Sequence, residues 1–387
     1  MMSDINRVVV VGASAAGLTT AETLRREGFD GLVTLIGDEL HLPYDRPPLS
    51  KQVLLGTWEP ERTSFRDDAT YQRLEIGLRL GVAATGVDTG ARTVALSTGD
   101  RVPYDRLVIA TGVRPAELRA GHELAGVHVM RTLDDALALQ AGLARATSVV
   151  VVGAGFLGSE AAAAARTLGK DVALVDMAPV PMSRQFGDEL GGWIGDLHRD
   201  NGVDVRTGVG VARLLGEGAV TGVELADGSV LAADVVLVAI GSVPATDWLV
   251  GSGIPLDDGV LCDDMCEAVP GVYAAGDVAR WHHRRFGVRM RVEHRMNATE
   301  QAMAVAKNIL GEPKPFTPVP YFWTDQFDAR IQAYGMFPPD AKMTVAQGDP
   351  ADRKLVAHYH HEGALVGVLG WNMPRELRAA RALLLED

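Results

Sequence analysis

The chain has 387 residues, room for two or three domains of about 150 residues, with an ordinary globular balance of 47% hydrophobic and 22% charged residues. Fifty acidic against 37 basic residues leave a net charge of −13, which argues against nucleic acid or an anionic membrane surface as partner, and no apolar run approaches the roughly 18 residues of a membrane span. Two cysteines, Cys262 and Cys266, cannot staple a chain of this size, and residues 1–7 carry no signal-peptide pattern, so a cytoplasmic location is expected.

Glycine is in excess, at 43 residues, and much of it falls in a repeated pattern. Residues 8–11 are four valines, the composition of a buried parallel strand. Gly12-Ala13-Ser14-Ala15-Ala16-Gly17 follows, then a predicted helix over 18–27 closed by Gly28, and a strand over 32–36 that ends at Gly37-Asp38-Glu39. A further strand is predicted over 107–112. The first pattern then recurs: a strand over 148–152, the complete G-x-G-x-x-G of Gly153-Ala154-Gly155-Phe156-Leu157-Gly158, a helix over 159–168, and a strand over 172–175 ending at Asp176. Strand-like runs at 234–240, before Gly241, and at 271–277 precede a predicted helix over 297–310. Pro313, Pro315, Pro318 and Pro320 then mark a linker, and residues 321–387 read as a small module of alternating strands with a charged final helix.

Strand, glycine turn, helix, strand and acid, in that order and present twice, point to two dinucleotide-binding units. The first glycine allows the tight turn, the second lets backbone approach a pyrophosphate, and the third lets helix pack on strand; the helix N-terminus then presents N–H groups to phosphate. The first unit departs from the pattern, with Ser14 at the second glycine position. Asp176 is placed to accept hydrogen bonds from ribose hydroxyls and to repel a 2′-phosphate, so NADH is expected in preference to NADPH, although Arg184 is within reach of a phosphate.

Several motifs in chain order carry a resemblance: residues 8–17, Pro43-Tyr44-Asp45-Arg46-Pro47-Pro48-Leu49-Ser50-Lys51, Ala110-Thr111-Gly112, residues 153–160, residues 274–279 and Tyr321-Phe322-Trp323-Thr324-Asp325-Gln326. Together they resemble the FAD-dependent NAD(P)H:ferredoxin or rubredoxin reductases of the glutathione-reductase structural type, putidaredoxin reductase among them, which feed electrons to bacterial cytochromes P450 or aromatic-ring dioxygenases. The resemblance implies an α/β fold with two Rossmann-like domains and a small α+β C-terminal interface domain. The FAD-binding domain would be discontinuous, residues 1–115 and 243–313; the NAD(P)-binding domain would be 116–242, and the interface domain 314–387.

The same resemblance implies FAD contacts at Gly12, Ser14, Ala15, Ala16, Gly17, Asp38, Glu39, Arg46, Val82, Ala110, Thr111, Gly112, Arg131, Gly276 and Asp277. For the nicotinamide cofactor it implies Gly153, Gly155, Phe156, Leu157, Gly158, Asp176 and Gly241. Lys51 and Glu160 would pair beside flavin N5, where a cation stabilises the reduced ring and a carboxylate holds the cation. Trp323 would stack near the flavin or nicotinamide ring. Arg295 stands where the family often carries an aromatic, a departure that removes any expectation of stacking there.

The implied partner is a ferredoxin-type iron–sulfur protein. A basic segment, with Arg280, Arg284, Arg285, Arg289, Arg291 and Arg295 among three histidines and a single acid, is either a docking patch for such an acidic carrier, Arg284, Arg285 and Arg289 foremost, or an internal ion-pair network. Cys262 and Cys266, late in the chain and amid carboxylates, read as structural thiols rather than a redox pair or a zinc site, and no metal is expected. Two other activities fit the same motifs: an NADH oxidase, and a flavoprotein of the apoptosis-inducing-factor type whose main role is not catalytic. A monomer or a homodimer is equally compatible with the sequence.

Overall fold

The computed structural model describes residues 5–385, so residues 1–4 of the N-terminal stretch lie outside it. The chain divides into two compact units, Met1–Asp45 with Thr63–Arg114 and Val243–Pro320, and Arg46–Arg62 with Pro115–Ser242 and Tyr321–Asp387.

The first unit is built on a six-stranded sheet in the order Glu267–Val269, Val272–Ala274, Arg106–Ile109, Arg7–Val11, Leu32–Ile36, Ile76–Arg79. All neighbours run parallel except the Glu267–Val269 edge. Strands buried on both faces have no solvent face to leave polar, hence the unbroken valines; Val8 to Val11 are at most 3% exposed. The predicted first helix spans Ala15–Arg26, beginning three residues before the expected start. The third glycine of the loop, Gly17, therefore already lies inside the helix. A Cβ there would sit 1.9 Å from the Gly12 carbonyl oxygen, so only glycine lets helix and strand approach this closely.

Also in this unit, the strands Ala279–His283 and Val288–Arg291 form a hairpin. The proline linker is fastened to the first of them: Trp281 Nε1 donates to the Phe316 carbonyl at 3.1 Å, and His283 Nε2 to that of Pro318 at 2.9 Å.

The second unit repeats the design. A parallel sheet runs Asp204–Thr207, Asp171–Asp176, Ser148–Val152, Val235–Val238, Val127–His128. The helix Phe156–Thr167 again starts three residues before its expected position, for the same reason: a Cβ on Gly158 would lie 1.8 Å from the Gly153 oxygen. The C-terminal module is an antiparallel five-stranded sheet, in the order Tyr321–Gln326, Ala329–Gly335, Ala364–Trp371, Lys354–His361, Lys342–Asp349, with the helix Pro374–Leu383. Its inner face shares one buried cluster with residues 182–194, in which Met182, Phe186, Leu190 and Ile194 pack with Phe322, Ile331, Leu355, Leu369 and Trp371.

Compactness thus groups the chain differently from the three domains read in the sequence. Residues 46–62 belong with the second unit, because Gln140 Nε2 donates to the Val53 carbonyl at 2.6 Å and the Leu49–Val53 turn packs on the helices Leu133–Arg145 and Phe156–Thr167. The linker 314–320 belongs with the first unit.

A shared core makes the C-terminal module depend on its neighbour. Leu369→Ala, at a fully buried position of that cluster, is expected to cost about 3 kcal/mol. A urea titration followed by tryptophan fluorescence reads this as a lowered midpoint; an unchanged midpoint contradicts the shared core.

Candidate active site

The first glycine cradle lies at the head of the six-stranded sheet. Gly12 has φ +117°, and a Cβ there would come within 2.1 Å of the Ala110 carbonyl oxygen, so Ala110 and Thr111, just before Gly112, press directly on the loop. Thr111 is tied down by its hydroxyl donating to the Ala245 carbonyl at 2.9 Å. Ser14 is the N-cap of the helix that begins with Ala15 and Ala16, yet its side chain caps nothing and the first turn carries no acid. The leading N–H groups are thus left to an anion, the arrangement a dinucleotide pyrophosphate needs, and the residues fit FAD. Beyond the second strand, the Tyr44 hydroxyl donates to the Glu39 carboxylate and the Val82 N–H to the Gly37 carbonyl at 2.9 Å, which closes the loop bearing Asp38.

Gly276 converges on the same place. A Cβ on it would meet that of Ala16 at 3.0 Å, and its N–H donates to Gln301 Oε1 at 2.9 Å. Gln301 is itself fully buried and donates to Cys266 Sγ at 3.3 Å. Asp277, next in the chain, faces His294, whose burial holds its imidazole down at about 4 and so uncharged. Arg295 is bound to Asp45 Oδ1 at 2.5 Å and to Thr299, with its guanidinium 5.0 Å from the Phe65 ring centre. Arg295 therefore bridges two segments of the first unit.

The second cradle has the same geometry. Gly153 has φ +103° and a Cβ there would meet the Ala239 oxygen at 2.2 Å, while Gly155 caps the helix without a side chain. Gly241, at φ +114°, has nothing within 4 Å of where its Cβ would stand, and so leaves the sheet end open beside the loop. Asp176 shapes the loop as well as facing it: one carboxylate oxygen accepts the Ala154 N–H at 2.6 Å, the other the Ala178 N–H at 2.7 Å. Of the expected cofactor contacts in this loop, Leu157 lies half-buried on the first helical turn. Phe156 turns its ring inward, edge-on to Phe186 at 5.9 Å and Phe322 at 5.2 Å, so its side chain serves packing.

Lys51 and Glu160, 109 residues apart, meet within the second unit. Lys51 Nζ is 2.6 Å from Glu160 Oε2, and the side chains are 14% and 7% exposed. The Leu49–Val53 segment is a single wide helical turn of the π type, which brings Ser50 and Lys51 to the same carboxylate; Ser50 Oγ donates to Oε2 at 2.6 Å. The other oxygen, Oε1, accepts from Thr324 Oγ1 at 2.8 Å and from the Asp325 N–H at 3.4 Å. Arg46 and Arg131 also come together, the Arg46 guanidinium donating to the Arg131 carbonyl at 2.5 Å, while the Arg131 N–H is held by Asp135 at 3.0 Å. Trp323 is half-buried, its ring stacked 6.0 Å from that of Tyr321.

Sequence reasoning missed Ser50, Thr324 and Gln301, because nothing in residue spacing signals a hydroxyl or an amide brought in from a distant segment. It also left two readings of the arginine-rich segment, in which ion pairs within the chain are present. Arg280 pairs with Asp257, Arg284 with Asp264, Arg291 with Asp258 and Glu293, and Arg295 with Asp45, while Arg289 donates to the Cys262 carbonyl. Arg284 remains 58% exposed in its pair, so these contacts leave docking by Arg284, Arg285 and Arg289 open to an acidic carrier. Both cysteines are buried and form no disulfide; burial pushes the Cys266 thiol up to about 12 and that of Cys262 well above its ordinary value. Among the described residues no three His, Cys, Asp or Glu side chains are grouped to hold a metal, and no helix is long and apolar enough to cross a membrane.

Two phosphate cradles of one design, with a buried lysine–carboxylate pair whose glutamate lies on the helix that follows the second, define a two-dinucleotide oxidoreductase. Residues 6–302 match the model of the pyridine nucleotide-disulphide oxidoreductases and residues 321–387 that of the reductase C-terminal domain, and the chain belongs to the pyridine nucleotide-disulphide oxidoreductase family. It is 37% identical to the ferredoxin–NAD(+) reductase component of the p-cumate 2,3-dioxygenase system of Pseudomonas putida, over 98% of this chain and 94% of that one. Among solved structures it is similar to the ferredoxin reductase for the CYP199A2 system from Rhodopseudomonas palustris (35% identity, TM-score 0.94, covering 97% of this chain and 93% of that one). It is also similar to the reductase in a covalent putidaredoxin reductase–putidaredoxin complex (31% identity, TM-score 0.94, covering 98% and 93%). FAD and NADH are the cofactors that this membership implies, and both cradles accommodate them.

A neutral, buried thiol is a poor nucleophile. Cys262 and Cys266 are therefore expected to stay unmodified by Ellman's reagent in the folded protein and to react only after denaturation. Rapid labelling of either thiol in the native state would contradict their placement.

Proposed function

We propose that this chain is an NADH-dependent flavoprotein reductase that passes electrons through FAD to a ferredoxin-type iron–sulfur protein serving an oxygenase, either a cytochrome P450 or an aromatic-ring dioxygenase. The observation that carries the reading is the Lys51–Glu160 pair: a buried ammonium, held at 2.6 Å by a carboxylate, in a chain with two dinucleotide cradles. The reductases named above serve such carriers and oxygenases, which supports the same partner class here. Flavin, when bound, takes an electron pair from the nicotinamide and releases electrons singly, which matches a two-electron donor to a one-electron carrier.

In this reading the division of labour follows the two glycine cradles. Gly12, Ser14, Ala15, Ala16 and Gly17 hold the FAD pyrophosphate, Asp38 and Glu39 the adenosine ribose, and Gly276 and Asp277 the ribityl chain; Val82, Ala110, Thr111 and Gly112 line the same site, and Arg46 and Arg131 add cations. Gly153, Gly155, Leu157, Gly158 and Gly241 hold NADH. Lys51 stabilises the charge of the reduced ring, Glu160 keeps it there, and Trp323 supplies an aromatic face. Discontinuous FAD-binding (1–115, 243–313), NAD-binding (116–242) and C-terminal (314–387) domains and a cytoplasmic location complete the proposal.

Asp176 decides the nicotinamide. Each of its oxygens accepts one loop N–H and keeps lone pairs for the ribose hydroxyls, whereas a 2′-phosphate would bring like charge against it. The ratio of kcat/KM is expected to favour NADH by about tenfold or more, and a higher value for NADPH would overturn the assignment.

Two measurements test the function. With NADH, the purified protein should reduce cytochrome c only when a ferredoxin is added; reduction without one, or rapid oxygen consumption in its place, favours an oxidase. Lys51→Ala should retain FAD yet slow flavin reduction by about tenfold or more, since it removes a buried cation and leaves its carboxylate without a counter-charge. Stopped-flow reduction at the wild-type rate would exclude the role given to Lys51.

A further inference from the structure

The strand Tyr321–Gln326 alternates cleanly. Phe322, Thr324 and Gln326 are buried, the latter two at 0% and 1% exposure, while Tyr321, Trp323 and Asp325 are half-exposed. Two polar residues on the inward face of a strand need partners, and these have an ordered set of them. Thr324 Oγ1 is 2.8 Å from Glu160 Oε1. Gln326 Nε2 donates to that same hydroxyl oxygen at 3.2 Å, which leaves the hydroxyl proton to go to the carboxylate. Gln326 Oε1 lies 2.9 Å from His198 Nε2. A carbonyl oxygen can only accept, so His198 carries its proton on Nε2 and donates; burial meanwhile holds the imidazole below its ordinary value and neutral.

The result is a line of donors that all point one way: His198 N–H to the Gln326 carbonyl, Gln326 N–H to the Thr324 oxygen, Thr324 O–H to Glu160. Lys51 and Ser50 meet the carboxylate from its other oxygen. Each amide and hydroxyl in the line has one orientation compatible with its neighbours, so the Glu160 carboxylate is fixed in rotation as well as in place. His198 is fully buried on the helix Asp188–Asp200, with its ring edge-on to Phe327 at 5.3 Å, so the far end of the line is anchored by packing.

We infer that Thr324 and Gln326 are positioning residues of the reduction step: the C-terminal module supplies the hydrogen bonds that hold Glu160, and through Glu160 the Lys51 ammonium. The module is therefore part of the redox centre. The inference rests on the role proposed for Lys51, and it adds that this role fails without residues of the Tyr321–Gln326 strand.

A double-mutant cycle on the FAD-loaded protein separates the two. Thr324→Val keeps the shape and removes the donor. It is expected to slow flavin reduction by NADH about tenfold, to leave the NADH dissociation constant unchanged, and to shift the flavin midpoint potential to more negative values. Thr324→Ser is expected to restore both rate and potential. In a Lys51→Ala background, Thr324→Val should change neither, because Thr324 acts only through that cation. A wild-type rate and potential in Thr324→Val while Lys51→Ala is slow overturns the positioning role, and so does equal slowing in both backgrounds. A wild-type rate in Lys51→Ala removes the reading beneath it and the inference together.

Discussion

A carboxylate that is 7% exposed must be met by donors, and Glu160 is met from two stretches of chain besides its own helix. Ser50 and Lys51 come from the turn after the proline motif, and Thr324 and the Asp325 N–H from the first strand of the C-terminal module. The helix that carries Glu160 is the one that follows the second glycine cradle. The second compact unit gathers these three stretches, and its composition from residues 46–62, 115–242 and 321–387 follows the same connections. Removing one partner from such a group strands the others, which is why the segment 46–62 and the C-terminal module are bound to the fate of one side chain.

The two cradles impose a different constraint, a steric one. In each, the first glycine lies against a carbonyl of the neighbouring strand and the third lies against the first, at separations no Cβ tolerates. The helix start is thereby locked to the strand end, and its unfilled N–H groups are left facing the open side of the sheet. Ser14 shows that the second glycine position is the more permissive one, since it begins the helix at an extended φ of −133° that any residue adopts.

Much of this was legible in the sequence because it is local. Valine runs, glycine turns and terminal acids lie within thirty residues of each other, and the strands fall where the runs fall. The helix starts were misjudged by three residues because the third glycine, which reads as loop, is part of the first helical turn. The Lys51–Glu160 contact was expected from family resemblance alone, as no pattern links residues 109 apart. Thr324, Gln326 and His198 were illegible for the same reason: a buried hydroxyl, amide and imidazole are meaningful only once strand alternation and helix packing bring them into line. The arginine-rich segment was ambiguous because its acids, Asp257, Asp258, Asp264 and Asp45, lie outside it in the chain.

What joins these parts is the claim that one chain holds two dinucleotides, one resident and one exchanged. An anaerobic titration of the purified yellow protein with NADH addresses it directly. The account predicts one FAD per chain, bleached completely by one equivalent of NADH. A protein that binds no flavin, or whose flavin stays oxidised with excess NADH, would contradict it.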